Sequence, residues 1–131
     1  MSPSGPRSVA FTEVATAQNS MHETGAAIVV GADVGRLVAG ATAPGGRGLI
    51  GAVQGAQNTG GYGIRVDRIE RDGDRLVVRA TFASPGPGSL VTQVLTSPAH
   101  AVSIATADIG GLRTAVLVDG TGMERARSDI P

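Results

Sequence analysis

The sequence predicts an all-β domain: an antiparallel β-sandwich, or barrel-like sandwich, of seven to eight strands with one short helix. Three observations carry this expectation. Short apolar runs recur along the chain, punctuated by Gly, Pro and Asn turn signals at intervals of roughly ten residues. The stretch Tyr62 to Phe82 reads as a complete hairpin, alternating apolar and polar residues on both arms around Asp72-Gly73. Only Gly31 to Ala41 has helical spacing. The 131 residues fit one domain. A chain of this length buries roughly two-thirds of its unfolded surface, enough to stand without metal or disulfide.

Taken in order, "MSPSGP" is punctuated by Pro and Gly and has no apolar anchor, so residues 1–7 read as a disordered lead-in. A single β domain is expected over 8–119. It starts with a first strand from Ser8 to Ala17, in which Val9 and Phe11 alternate before the pattern slips to Val14. The polar connection Gln18–Gly25 leads to "AAIVV" (Ala26–Val30), short and β-branched as suits a buried strand. In Gly31–Ala41, Asp33 is placed to cap a short helix with Val34, Leu37 and Val38 as its apolar stripe; Gly35 weakens it by about 1 kcal/mol relative to alanine. "TAPGGRG" (Thr42–Gly48) is a loop. "LIGAVQG" (Leu49–Gly55) is apolar on both faces, as in a central strand. In the hairpin, Leu76, Val78, Ala80 and Phe82 share one face, while Val77, Arg79 and Thr81 share the other. After "ASPGPGS", the run "LVTQVLTSPAHAVSIAT" reads as two strands broken near Pro98, which has no N–H for a ladder. A last strand is expected over Leu112–Val118, and residues 120–131 read as a polar tail.

Composition excludes several function classes. Eleven basic and eleven acidic residues balance to zero formal charge, which removes the electrostatic footprint of a nucleic-acid binder. Every basic residue is arginine. The absence of lysine rules out a Walker-A lysine, a Schiff-base lysine and a lysine general base. There is no cysteine, hence no thiolate nucleophile and no disulfide framework. Aromatics are 2% of the chain (Phe11, Tyr62 and Phe82), too few for a base-stacking platform. No apolar run reaches the length of a membrane span, and "MSPSGPRSVAF" carries no apolar signal core.

The chain offers few of the residues that catalytic constellations need. His22 and His100 are the only histidines and neither has a second ligand at usable spacing, so no metal or cofactor is expected and both read as solvated loop residues. "GPGSL" is not a nucleophile elbow. Asp67, Glu70, Asp72 and Asp74 straddle a hairpin turn, where carboxylates solubilise rather than catalyse. "GGYG" precedes a strand instead of joining strand to helix, so it lacks the geometry of a dinucleotide loop. No catalytic residue is assigned.

Two loops remain. In "QNTGGYGIRV" the only tyrosine follows paired glycines at a loop–strand junction, and "SPGPGS" is stiffened by two prolines. Each alone reads as a plain connection. Their order is more telling: "LIGAVQG", "NTGGYGIRVDRIERDGDRLVV", "SPGPGS", then "TQVLTSPAHAVSI". Over Leu49–Ile104 this set resembles the C-terminal domain of PrcB-type protease complex subunits, with a more distant echo of chagasin-like protease inhibitors. The resemblance implies a non-catalytic bacterial β domain, exported or lipid-anchored, that associates with a secreted subtilisin-like protease and supports its stability or maturation. The sequence departs from the family at Asn58, where proline is usual, at Ser89-Leu90, where a cysteine or other residue often sits, and in having no signal or lipobox. The first bears on the stiffness of the turn and the last leaves the extracytoplasmic location open.

The expected function is therefore protein binding, with a secreted protease as the partner. Asn58, Thr59, Gly60, Gly61 and Tyr62 would form one side of the surface. Pro85, Gly86, Pro87 and Gly88 would form the other, with Gln93 and Ser97 as lesser members. Tyrosine is a frequent interface anchor, and stiff loops lose little entropy on docking. Two alternatives stand beside this: an assembly module pairing through an exposed strand edge such as Leu95–His100, and a small-ligand-binding domain with an unrecognised site.

Overall fold

The computed structural model describes residues 7–20, 24–91 and 93–130. Most of the lead-in, and His22, lie outside these. Two sheets face each other. One has five strands in the order β1 (Arg7–Val9), β5 (Gly63–Asp72), β6 (Arg75–Ala83), β8 (Thr114–Val118) and β9 (Glu124–Asp129). The other has four, in the order β2 (Phe11–Ala17), β7 (Ala99–Ala105), β4 (Arg47–Val53) and β3 (Ala27–Val30). The sandwich expected from sequence is thus present, with nine strands among the described residues instead of seven or eight. All pairings are antiparallel except β6 with β8.

Periodicity placed the central strands well. Leu76, Val78 and Ala80 turn inward from β6, onto Ile64, Val66 and Ile69 of β5 and Ile50, Ala52, Val102 and Ile104 of the opposite sheet. The hairpin turn differs in detail. Asp72 pairs with Arg75, so the central residues are Gly73 and Asp74, and only Gly73 has positive φ, the type II′ arrangement. The expected first strand is in fact two strands. After Val9 the chain leaves one sheet and joins the other at Phe11, which lets both side chains reach the same core. The slip at Val14 is a bulge, where the β2–β7 register shifts between Glu13 and Ala15.

A third layer covers the four-stranded sheet. The predicted helix contracts to a single turn, α1 (Val34–Leu37), with Asp33 at its N-cap but no side-chain cap hydrogen bond. Val34, Val38 and Ala41 pack onto Leu49, Val53, Ala99 and Ala101. The small residues on this face allow the close approach: a Cβ on Gly51 would stand 3.2 Å from Val34 Cγ1. β4 is therefore dry on both faces, as its unbroken apolar run predicts.

The C-terminal residues are not a polar tail. β9 and the residue after it place Ala126 and Ile130 against the core and alternate them with exposed Arg125, Arg127 and Asp129. The turn before it is organised by Asp119. Its Oδ1 accepts from the Thr121 amide at 2.9 Å and hydroxyl at 2.6 Å and from the Met123 amide at 3.1 Å, and Arg125 reaches its Oδ2. These donors, led by the Thr121 hydroxyl, hold the carboxyl down from its usual 3.8 to about 2. Glu70 is another correction. It is 7% exposed on the outer face of the five-stranded sheet, paired with Arg79 at 2.7 Å and Arg68 at 3.4 Å.

His100 is also not a solvated loop residue. It lies on β7, the interior strand between β2 and β4, and is 1% exposed. Its Nδ1 accepts the Val66 amide proton at 2.9 Å, linking the two sheets. That amide is available because β5 carries a bulge between Val66 and Arg68. An accepting Nδ1 places the imidazole proton on Nε2, which faces Glu13 Oε1 at 3.5 Å. Burial lowers the histidine pKa below 6.5; Glu13 opposes this, Arg65 adds to it and Asp67 opposes it.

Two predictions follow from these contacts. Because the His100 pKa is depressed in the folded state, its contribution is fully present above the unfolded value near 6.5 and declines as pH falls through the folded value. His100→Leu is expected to lose about 1–3 kcal/mol in urea unfolding at neutral pH by orphaning the Val66 amide, and to show a shallower loss of stability between neutral pH and mild acid. An unchanged unfolding midpoint would refute the tie. Asp119→Ala is expected to lower Tm near neutral pH. The difference from wild type should shrink on acidification through 3.8 toward about 2, as the wild-type carboxylate is protonated.

A candidate protein-binding corner

Three segments of the loop–strand sequence meet at one end of the sandwich. The first leaves β4 at Gln54, whose amide donates to Pro98 O at 2.9 Å and whose side-chain Nε2 donates to Ala83 O at 2.8 Å. Gln57 and Thr96 exchange main-chain hydrogen bonds at 2.7 and 2.9 Å, and the Thr96 hydroxyl donates to Thr59 O at 2.9 Å. These contacts hold the turn Asn58–Tyr62 against the segment that precedes β7.

The second segment is the proline–glycine loop. The Ser89 amide donates to Gly86 O at 3.0 Å, closing a turn with Pro87 and Gly88 at its centre. Proline first and a positive-φ glycine second is the type II arrangement, with φ +78° at Gly88. The two loops touch at Gly61. Its φ is +89°, and a Cβ built there would stand 3.0 Å from Pro85 Cβ and from Val91 Cγ1. Only glycine fits both the backbone conformation and the space. The tyrosine-led corner and the proline–glycine corner are therefore neighbours.

The sequence-derived residues are placed as follows. Asn58, Gly61, Gly86, Pro87, Gly88 and Gln93 are exposed. Thr59, Gly60, Tyr62 and Pro85 are half-buried along the seam. Ser97 departs from its expected place: it is 4% exposed, its hydroxyl lies 2.9 Å from that of Ser20, and its amide donates to Gln18 O. It braces the corner from inside. Leu95–His100 is likewise not a free strand edge. Thr96 pairs with Gln57, Ser97 bridges to Asn19, and β7 is flanked on both sides.

Three residues at this corner were not picked out by the sequence reading. Leu90 is 101% exposed, Leu95 72% and Val94 53%. Their signal is hidden because "LVTQVL" has strand composition and reads as part of a sheet. No Arg, Asp or Glu occurs from Ala83 to Ala107, nor from Gly48 to Ile64, so both halves of the corner are uncharged. A shallow recess of about 270 Å³, lined by Gly63, Ile64, Arg65, Thr81 and Ala83, adjoins it. The described residues of the corner supply hydroxyls, main-chain groups, one aromatic ring and apolar side chains, an inventory suited to docking against a surface. Among the described residues no cluster of His, Asp or Glu has metal-binding geometry, and no helix is long and apolar enough to cross a membrane.

Comparison with known proteins returns the segment that carries this corner. No curated protein and no solved structure matches the chain. One family model does: residues 49–105, from β4 through the two loops to the end of β7, match the PrcB C-terminal family, the family that the ordered motifs of the sequence resemble.

Proposed function

We propose that this protein is a non-catalytic β domain that binds a protease and stabilises or modulates it. The Asn58–Tyr62 turn and the Pro85–Gly88 loop would form the docking corner. The observation that carries this reading is the Gly61 seam, where Pro85 and Val91 close on the glycine and fix the two loops side by side. A corner stiffened by a type II turn, a positive-φ glycine and two prolines loses little freedom on docking. Its lack of charge means no ion has to be stripped of water when a partner closes over it. The match to the PrcB C-terminal family supports a place in a protease complex, and the exported setting implied by the resemblance makes a secreted protease the first partner to try.

The test is co-expression with candidate secreted subtilisin-like proteases, followed by co-purification. Tyr62→Ala is expected to remain folded, with unchanged Tm, and to bind roughly tenfold more weakly. Gly61→Ala is expected to weaken binding further because the added methyl forces the loops apart. Replacement of Pro85–Gly88 by a flexible serine-rich sequence should reduce binding without unfolding the sandwich. Wild-type binding retained in all three variants would move the interface elsewhere.

A further inference from the structure

The two halves of the corner are moored to different sheets. The Asn58–Tyr62 turn is held beside β7, through the Gln57–Thr96 exchange and the Thr96 hydroxyl on Thr59 O. The Pro85–Gly88 loop leaves the five-stranded sheet at the end of β6. The seam between them has no slack, since a Cβ built on Gly61 already stands 3.0 Å from Pro85 and Val91. A small slip of one sheet over the other therefore opens it. Two polar contacts resist such a slip at this end: Gln54 on Ala83 O, and His100, just past Thr96, on the Val66 amide, just past Tyr62. Of the two, only the histidine titrates.

Its bond exists only with a neutral ring. Nδ1 accepts, so a proton added there sets two donors 2.9 Å apart and leaves the Val66 amide without an acceptor in a dry core. The charged ring is nonetheless provided for. A recess of about 210 Å³, lined by Glu13, Val14, Ala15, Thr16 and His100, lies beside the β2 bulge. In it Glu13 Oε1 stands 3.5 Å from His100 Nε2, on a side chain that is 67% exposed. Burial opposes the imidazolium most; Glu13 from β2 favours it, Arg65 from β5 opposes it and Asp67 from β5 favours it. Arg65 is itself held by Asp67 at 3.0 Å. β4, on the other flank, sets uncharged Ala52 beside His100. Mild acid thus takes the ring from one partner, the Val66 amide, and leaves it with another, the Glu13 carboxylate.

We propose that His100 is a pH-sensitive latch on the docking corner: the neutral imidazole locks the sheets in register and closes the Gly61 seam, and its protonation loosens the seam without unfolding the sandwich. This inference rests on the protein-binding reading of the corner and names its regulation. The latch is closed near neutral pH and opens as pH falls through the folded-state value, which lies below 6.5.

The intact protein carries its own reporter, because Tyr62 is its only tyrosine and it has no tryptophan. The experiment follows tyrosine fluorescence and near-ultraviolet circular dichroism from neutral pH into mild acid, beside the imidazole nitrogen NMR signals of His100 and far-ultraviolet circular dichroism. The expected result is one step in the Tyr62 signal that coincides with His100 protonation while the strand signal is unchanged. His100→Asn, which keeps an acceptor near the Nδ1 position and cannot titrate, should abolish the step. Glu13→Gln, at an exposed side chain, should move it to lower pH by removing the carboxylate that favours the imidazolium. His22→Gln should leave it in place. A flat Tyr62 signal, a step that survives His100→Asn or vanishes with His22→Gln, a step unmoved by Glu13→Gln, or one accompanied by loss of strand signal would overturn the inference. Should His100→Asn not fold, Glu13→Gln decides. A protease that co-purifies at neutral pH should be held about tenfold more weakly below the step; equal retention on both sides would remove the latch alone. A Tyr62 step with no protease retained at any pH would remove the protease reading alone.

Discussion

The sandwich depends on one hydrogen bond that crosses between its sheets. His100, inside β7, takes the Val66 amide of β5 at 2.9 Å. Apart from the Gln54 contact at one end, the inner faces meet through the apolar cluster that spans both sheets, whose members are attracted without preference for direction. A buried hydrogen bond has a required distance and angle, so it fixes the register of one sheet over the other. It also explains a defect. The β5 bulge takes an amide away from β6, which would be costly in a dry core. Here the freed amide is the one the imidazole accepts, so bulge and histidine form a single device. The neutral tautomer this demands is stabilised by the burial that lowers the histidine pKa.

That register places the docking corner. β4 ends at Val53 in one sheet and β6 ends at Ala83 in the other, and the side chain of Gln54, the residue after β4, spans the gap between them. The two loops leave from these neighbouring ends. Residues far apart in sequence are thereby delivered to one seam, where the absence of a side chain on Gly61 sets how closely they approach. Loops on a rigid scaffold are a recurrent way for β-sandwiches to recognise other proteins.

Much of this was legible in the sequence, for reasons specific to each element. β5 and β6 are consecutive partners, and β4, β5 and β6 all bury faces that their apolar patterns announce. The two loops were legible because glycine and proline have few interchangeable uses. What escaped was written in tertiary contacts. β9 is rich in arginine and reads as solvent-facing until the Asp119 turn folds Ala126 and Ile130 back onto the core. His100 resembles any polar residue until its strand is known to be interior. Leu90–Leu95 carries the composition of a strand, and composition cannot reveal that its described residues belong to no sheet.

The stretch matched by the family model has its own consequence. Residues 49–105 contain β4 to β7, which form just two adjacent pairs, β5 with β6 and β4 with β7. Each of these four strands leans on its other side against a strand outside the stretch: β5 on β1, β6 on β8, β4 on β3 and β7 on β2. Excised, the region would be two ribbons with every flank open, a form that is marginal in water and prone to clumping. The recognisable signature is therefore smaller than the smallest autonomous folding unit, and the less distinctive sequence at both ends acts as its obligatory frame.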